Sequence, residues 1–191
     1  MMPREIIAKS FKNKPFSLKN AEELGITRYE ISKLITQGKV EKLTHGIYVL
    51  LKGDASIAEQ FKIATVLIGG PSAICLLSAL EYYDLTDIIS KEIWIMVSAN
   101  KRTRQRGIRL FRAAHMNLDI GVLKTNDFAI TSIERTLVDS LTHQRQISIN
   151  IAIEALRRAI HLKKTTLSKV VDIANKLGVL RRIQSYIEAL V

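Results

Sequence analysis

A chain of 191 residues has room for one domain or two small ones, and its 47% hydrophobic content supplies a core, which excludes a disordered chain. Lysine and arginine total 29 against 18 aspartate and glutamate, and the formal net charge of +11 points to a polyanionic partner, nucleic acid first. A single cysteine, Cys75, excludes an internal disulfide, and no apolar run is long enough for a signal peptide or a membrane span, so a cytoplasmic protein is expected.

Residues 4–12 read as a first helix with Ile6 and Ile7 inward, broken by Pro15. Leu18–Leu24 is a second helical segment that Gly25 stops. Thr27 with Glu30 three residues later makes a capping box, and Ile31, Leu34 and Ile35 recur at helical spacing. Gly38 ends this third helix. Val40–Leu43 and Ile47–Leu51 read as two strands turned by Thr44, His45 and Gly46. Two short helices about a glycine turn, followed by a basic hairpin, make a winged helix-turn-helix, whose second helix enters the major groove of DNA. On that helix the outward side carries Arg28, Tyr29, Ser32, Lys33, Thr36 and Gln37, types that bond phosphates and base edges. Lys39, Lys42 and His45 fall on or beside the wing. Lys52, Gly53 and Asp54 form the best candidate linker, which divides the chain into a DNA-binding domain at 1–53 and a second domain at 54–191.

Beyond the linker, Ser56 and Glu59 make another capping box, opening a helix to about Ile68 that Gly69, Gly70 and Pro71 end. A helix over Ala73–Tyr83 is expected next. Glu92–Val97 is short, apolar and partly β-branched, which predicts a buried strand, with Ile108–Arg112 as its hairpin partner. Short strands are expected near Gly121–Lys124 and Asp127–Ile130. Ser132 caps a helix to about Leu141, and helices follow over Ile147–Lys163, Thr166–Leu177 and Leu180–Leu190. The fold class is α+β: a winged helix, then a small mixed sheet packed with helices, then a helical C-terminus.

Charge is spread unevenly. Residues 1–53 hold ten basic and five acidic side chains, 54–96 hold two and six, 97–112 hold six and none, and 113–191 hold eleven and seven. The densest run is Lys101, Arg102, Arg104, Arg106, Arg109 and Arg112. A mobile arginine-rich hairpin there suits a phosphate backbone, an RNA or an acidic protein surface.

Signs of catalysis are weak. Gly69-Gly70-Pro71-Ser72 ahead of Asp84 and Asp87 has the outline of a nucleotidyltransferase site, but such carboxylates share Mg²⁺ and sit one residue apart on a strand, whereas these are three apart. Lys91 and Glu92 alone do not make a nuclease site. His45, His115, His143 and His161 are scattered without the spacing of a zinc site, and neither a nucleophile motif nor a phosphate-binding glycine loop is found. No cofactor or metal is expected.

Three segments resemble the AbiEi antitoxin family, in order along nearly the whole chain. Gly38–Val49 is similar to its G-x-L-x-x-L-x-x-G-V-Y stretch, through Leu43, Gly46 and Tyr48. Ala73–Leu85 is similar to its S-x-x-S-A-L-x-x-x-G-L helix, through Ser78, Ala79, Leu80 and Leu85, with Asp84 where the family often has glycine. Ile130–Asp139 is similar to its V-T-x-x-x-R-T-L-x-D segment, through Thr131, Arg135, Thr136, Leu137 and Asp139. The resemblance implies the antitoxin of a type IV toxin–antitoxin system used in phage defence. Its winged helix would bind double-stranded DNA at its own promoter and repress the operon, and its C-terminal domain would oppose an AbiEii-type, nucleotidyltransferase-like toxin, without chemistry of its own. Arg135 and Asp139, four apart on one helix face, read as a structural ion pair that ties the helix to the sheet, and Tyr48 as a packed wing residue. Two rival readings stand beside this one: a plain transcription regulator whose C-terminal domain binds a ligand or dimerises, and a nucleotidyltransferase-like or nuclease enzyme.

Overall fold

In the computed structural model, Pro3–Phe11 winds as helix α1, with Pro3 at its first position, where a missing N–H costs nothing. The structure describes residues 3–11, 14–36, 39–44, 46–50, 56–105, 107–113 and 118–188. The chain divides into two compact units, Met1–Leu67 and Ile68–Val191. The candidate linker Lys52-Gly53-Asp54 lies outside the described residues.

In the first unit, Phe16–Ser17 is a two-residue strand, β1, followed by helices α2 (Leu18–Glu23) and α3 (Arg28–Thr36). Strands β2 (Val40–Thr44) and β3 (Ile47–Leu50) form the wing, and β1 adds to it, giving an antiparallel sheet in the order β1-β3-β2. Ile7 from α1, Ile31 and Leu34 from α3, and Val40, Tyr48 and Leu50 from the wing close one core with Phe16 and Ile26. Phe11 stacks on Phe16 at 4.7 Å, and Tyr48 lies 6.0 Å from Phe16. Tyr48 is therefore a packing residue of the wing. Helix α4 (Ile57–Ile68) starts in the expected capping box: the Ser56 amide donates to Glu59 Oε2 at 3.0 Å, and the Glu59 amide donates to Ser56 Oγ at 3.3 Å.

The second unit is a five-stranded mixed sheet with helices. Its strands are β4 (Ser72–Ile74), β5 (Ile93–Ser98), β6 (Ile108–Ala113), β7 (Val122–Lys124) and β8 (Ala129–Thr131), in the order β6-β5-β4-β8-β7. Two expectations are corrected here. Residues 73–75 do not begin a helix. Ala73 and Ile74 belong to β4, Cys75 is extended, and its amide still donates to Trp94 O at 3.0 Å. Helix α5 (Leu76–Tyr82) starts only there, at a left-handed Leu76 with φ +48°. Nor do β5 and β6 form a hairpin. They pair in parallel, Ile93 opposite Ile108 through Ser98 opposite Ala113. The basic segment is thus part of a crossover connection and not of a hairpin turn, because parallel neighbours cannot be joined by a tight turn.

Helix α6 (Ile133–Thr142) is the centre of this unit, with Arg135 to Thr142 all buried. Ser132 caps it, accepting from the Arg135 amide at 3.2 Å. Around it stand α7 (Ile149–His161), α8 (Leu167–Lys176) and α9 (Leu180–Glu188). On α7 the buried residues Ala152, Ala155, Leu156 and Ala159 follow the helical period and make one apolar stripe. Cys75 is buried in the same core, and its burial pushes the thiol pKa well up, so it behaves as a small hydrophobe. No described helix is long and apolar enough to cross a membrane.

Candidate nucleic-acid interface

The turn between α2 and α3 is fixed by two adjoining caps. At the end of α2, Gly25 takes φ +77°, its amide donates to Glu22 O at 2.9 Å, and the Ile26 amide donates to Ala21 O at 3.0 Å. This is a Schellman motif, and the buried Ile26 that follows pins it to the core. Thr27 then caps α3. Its amide and hydroxyl donate to Glu30 Oε2 at 2.8 and 2.9 Å, and the Glu30 amide donates back to Thr27 Oγ1 at 3.2 Å. The bond from the Thr27 amide is the main reason that the Glu30 carboxyl titrates below its usual range. Gly25, the buried Ile26 and the capping box together set the angle at which α3 leaves α2.

With Ile31 and Leu34 turned into the core, Arg28, Tyr29, Ser32, Lys33 and Thr36 all lie exposed. Their spacing of one, four, five and eight residues from Arg28 puts them on one side of the helix. Tyr29 is 76% exposed, unusual for an aromatic side chain that has no surface task. The Thr36 hydroxyl donates to Ser32 O at 3.2 Å, which leaves its methyl and its lone pairs outward. Gln37 and His45 lie outside the described residues. On the wing, Lys42 is exposed opposite Tyr48, and Lys39 is half-buried just before β2. The Leu18 amide donates to Gly46 O at 3.0 Å, which ties the wing turn to the start of α2.

A contributor that sequence reasoning missed is Arg4. With Lys33, Lys39, Glu5 and Glu30 it lines a groove of about 410 Å³ between the start of α1 and the side of α3. No local pattern could have revealed this, since 29 positions separate Arg4 from Lys33 and only the tertiary fold unites them.

The second basic group is distributed differently from the expected hairpin. Arg102 and Arg104 are exposed on the crossover and Lys101 is half-buried. Arg106 lies outside the described residues. Arg109 on β6 sits 4.3 Å above the Trp94 ring and 3.7 Å from Glu92, so it is engaged with the neighbouring strand. Arg112 is exposed farther along β6. Asp87 and Asp84, the carboxylates that outlined a metal site, both lie against Arg158, at 2.8 and 3.3 Å.

Residues 5–51 match the family described as "Transcriptional regulator, AbiEi antitoxin". No curated protein matches the chain. The matched span begins in α1 and runs through the Schellman turn, α3 and both wing strands, so this segment is similar to a module found in a family of transcriptional regulators. The match ends before the second unit.

Proposed function

We propose that this protein, an antitoxin-type transcriptional regulator through its matched N-terminal segment, represses its own operon by placing α3 in the major groove of promoter DNA. The observation that carries the reading is the exposed face formed by Arg28, Tyr29, Ser32, Lys33 and Thr36 on a helix whose entry angle is held by two caps. A bidentate arginine on a guanine edge, or a hydroxyl on either base type, reads sequence, while Lys39 and Lys42 on the wing neutralise phosphates on either side. Arg4 adds a further phosphate contact beside Lys33. The second unit, Ile68–Val191, acts as the antitoxin proper against a nucleotidyltransferase-like toxin of the AbiEii type. The crossover residues Lys101, Arg102 and Arg104 would meet an acidic surface, where long-range attraction speeds encounter.

The test is a gel-shift titration on the DNA upstream of the chain's own gene. Replacing Arg28 and Lys33 together by alanine is expected to weaken that binding by roughly 1–3 kcal/mol for each base-reading side chain removed. The melting temperature should stay put, because both side chains are exposed. Unchanged affinity would remove α3 from the interface. Replacing Lys42 should weaken specific and random duplexes alike and lower the salt slope by about one.

A further inference from the structure

The second unit has a small cavity that the DNA-binding reading does not use. It holds about 180 Å³ and is bordered by Arg112 and Phe111 of β6, Arg135 and Asp139 of α6, and His143 and Arg182. That is roughly the liquid volume of six waters. Three arginines therefore border one space with a single acidic residue among them. Thr142, His143 and Arg182 also border a second hollow of about 610 Å³ that adds Arg145.

The charges are not all neutralised internally. Arg135 is committed: its Nε donates to Asp139 Oδ2 at 2.7 Å and its Nη1 to Ile120 O at 2.6 Å. Arg182 donates one Nη2 bond to Thr142 O at 2.7 Å, and a guanidinium carries five donors. Arg112 makes no ion pair among the described residues. His143 is held edge-on to Phe111, with ring centroids 4.7 Å apart, and its Nδ1 lies 2.9 Å from Asp139 O. Among the described residues no carboxylate forms an ion pair with Arg112 or Arg182, and both border a cavity of anion size.

We infer that this cavity is a seat for a protonated phosphate oxyanion. The arginines supply the planar, forked donors that suit phosphate oxygens. Asp139 supplies the selectivity. A carboxylate in an anion pocket repels an oxyanion that has no proton, and accepts a hydrogen bond from one that carries an O–H. Inorganic phosphate keeps at least one proton at neutral pH, whereas sulfate and the phosphodiesters of a DNA backbone keep none. The pocket therefore favours phosphate over sulfate and over duplex DNA. A phosphomonoester carries the proton only below about pH 6, so it would bind better as the pH falls toward that value.

The experiment follows the melting temperature of the full chain at matched ionic strength with inorganic phosphate, sulfate, adenosine 5′-monophosphate and a duplex oligonucleotide. Phosphate is expected to raise the melting temperature saturably, and sulfate to leave it nearly unchanged. Arg112→Gln should abolish the phosphate response with no change in the phosphate-free midpoint, since Arg112 is exposed. Arg182→Gln should weaken the response about tenfold or more. Asp139→Asn should lower the anion-free midpoint, because it breaks the buried pair with Arg135, and the shifts that phosphate and sulfate add to that midpoint should become equal, because a carboxamide both donates and accepts. A response to the monophosphate at pH 6 as well as to inorganic phosphate would identify an esterified source, and a response to inorganic phosphate alone a free one. Equal shifts with phosphate and sulfate in the unaltered chain would overturn the seat, and so would an unaltered phosphate response in Arg112→Gln. Duplex binding should survive Arg112→Gln, and its loss without a phosphate response would likewise overturn the assignment. Because promoter binding is read separately through Arg28 and Lys33, failure of one reading leaves the other standing.

Discussion

At the scale of single residues, the pair Arg135 and Asp139 shows how burial changes the meaning of a spacing. Four positions apart on a helix surface, such a pair is worth a few tenths of a kcal/mol. Here the two side chains are 2% and 5% exposed, with Nε 2.7 Å from Oδ2. Arg135 also reaches Ile120 O and the Met96 sulfur of β5, so it ties α6 to the sheet, as its place in the sequence suggested. Removing one partner would strand the other charge away from water. Asp139→Ala should therefore cost about 3–5 kcal/mol in urea unfolding, and the double change Arg135→Met with Asp139→Leu should cost much less than the single one. Equal costs would mean that the pair is not truly desolvated. Gly121, next to Ile120, lies close against the same arginine. It sits at φ +64°, and an added Cβ would lie 2.7 Å from Arg135 Cβ. Gly121→Ala should thus lose about 1–2 kcal/mol from the left-handed backbone alone, and more from the steric clash.

At the scale of elements, what was legible was local. The capping boxes at Thr27 and Ser56 and the glycine stop at Gly25 each need only a few consecutive residues, and each lies where its pattern indicated. The exposed face of α3 followed from a period of 3.6. What was not legible needed distant partners. The run from Ser72 to Leu80 is apolar enough for a strand or a helix, and only pairing of Ala73 with Met96 makes its first part a strand. Likewise nothing in residues 93–113 distinguishes a hairpin from a parallel crossover. That choice is made by the rest of the sheet. The same limit hid Arg4 beside Lys33, and Arg112 beside Arg182. One local device yields a pH prediction. The Glu30 carboxyl is held below its ordinary range by Thr27, so its contribution is present above the unfolded value and is lost as pH falls through the lower folded one. Melting temperature should therefore drop more steeply below about pH 4.5 in the unaltered chain than in Glu30→Gln. Parallel curves would show that the box adds nothing to the stability of α3.

At the scale of the whole molecule, the positive surplus is carried by both units, and that bears on how the work is divided. The first unit closes its own core from Ile7 to Leu50, and α4 follows within the same compact unit. A cut at residue 53 therefore removes a helix that a cut at residue 67 keeps. A 53-residue piece is also marginal in size for independent folding. If DNA binding belongs to the first unit, the 1–67 fragment should bind the promoter duplex with nearly the salt dependence of the full chain, because the phosphate contacts that set the slope would all lie on Arg4, Lys33, Lys39, Lys42 and their neighbours. A full chain with a clearly steeper slope would instead place the crossover arginines on DNA. The 68–191 fragment should then protect growing cells from the co-expressed toxin, while 1–67 should not. Within a protective fragment, Arg102→Glu with Arg104→Glu tests the crossover, which is exposed at both positions. Protection abolished with the fold intact would make this edge the toxin-facing surface. Protection retained would mean that the charge there is only solvated. Protection by 1–67 alone would reverse the division and assign the antitoxin activity to the DNA-binding unit.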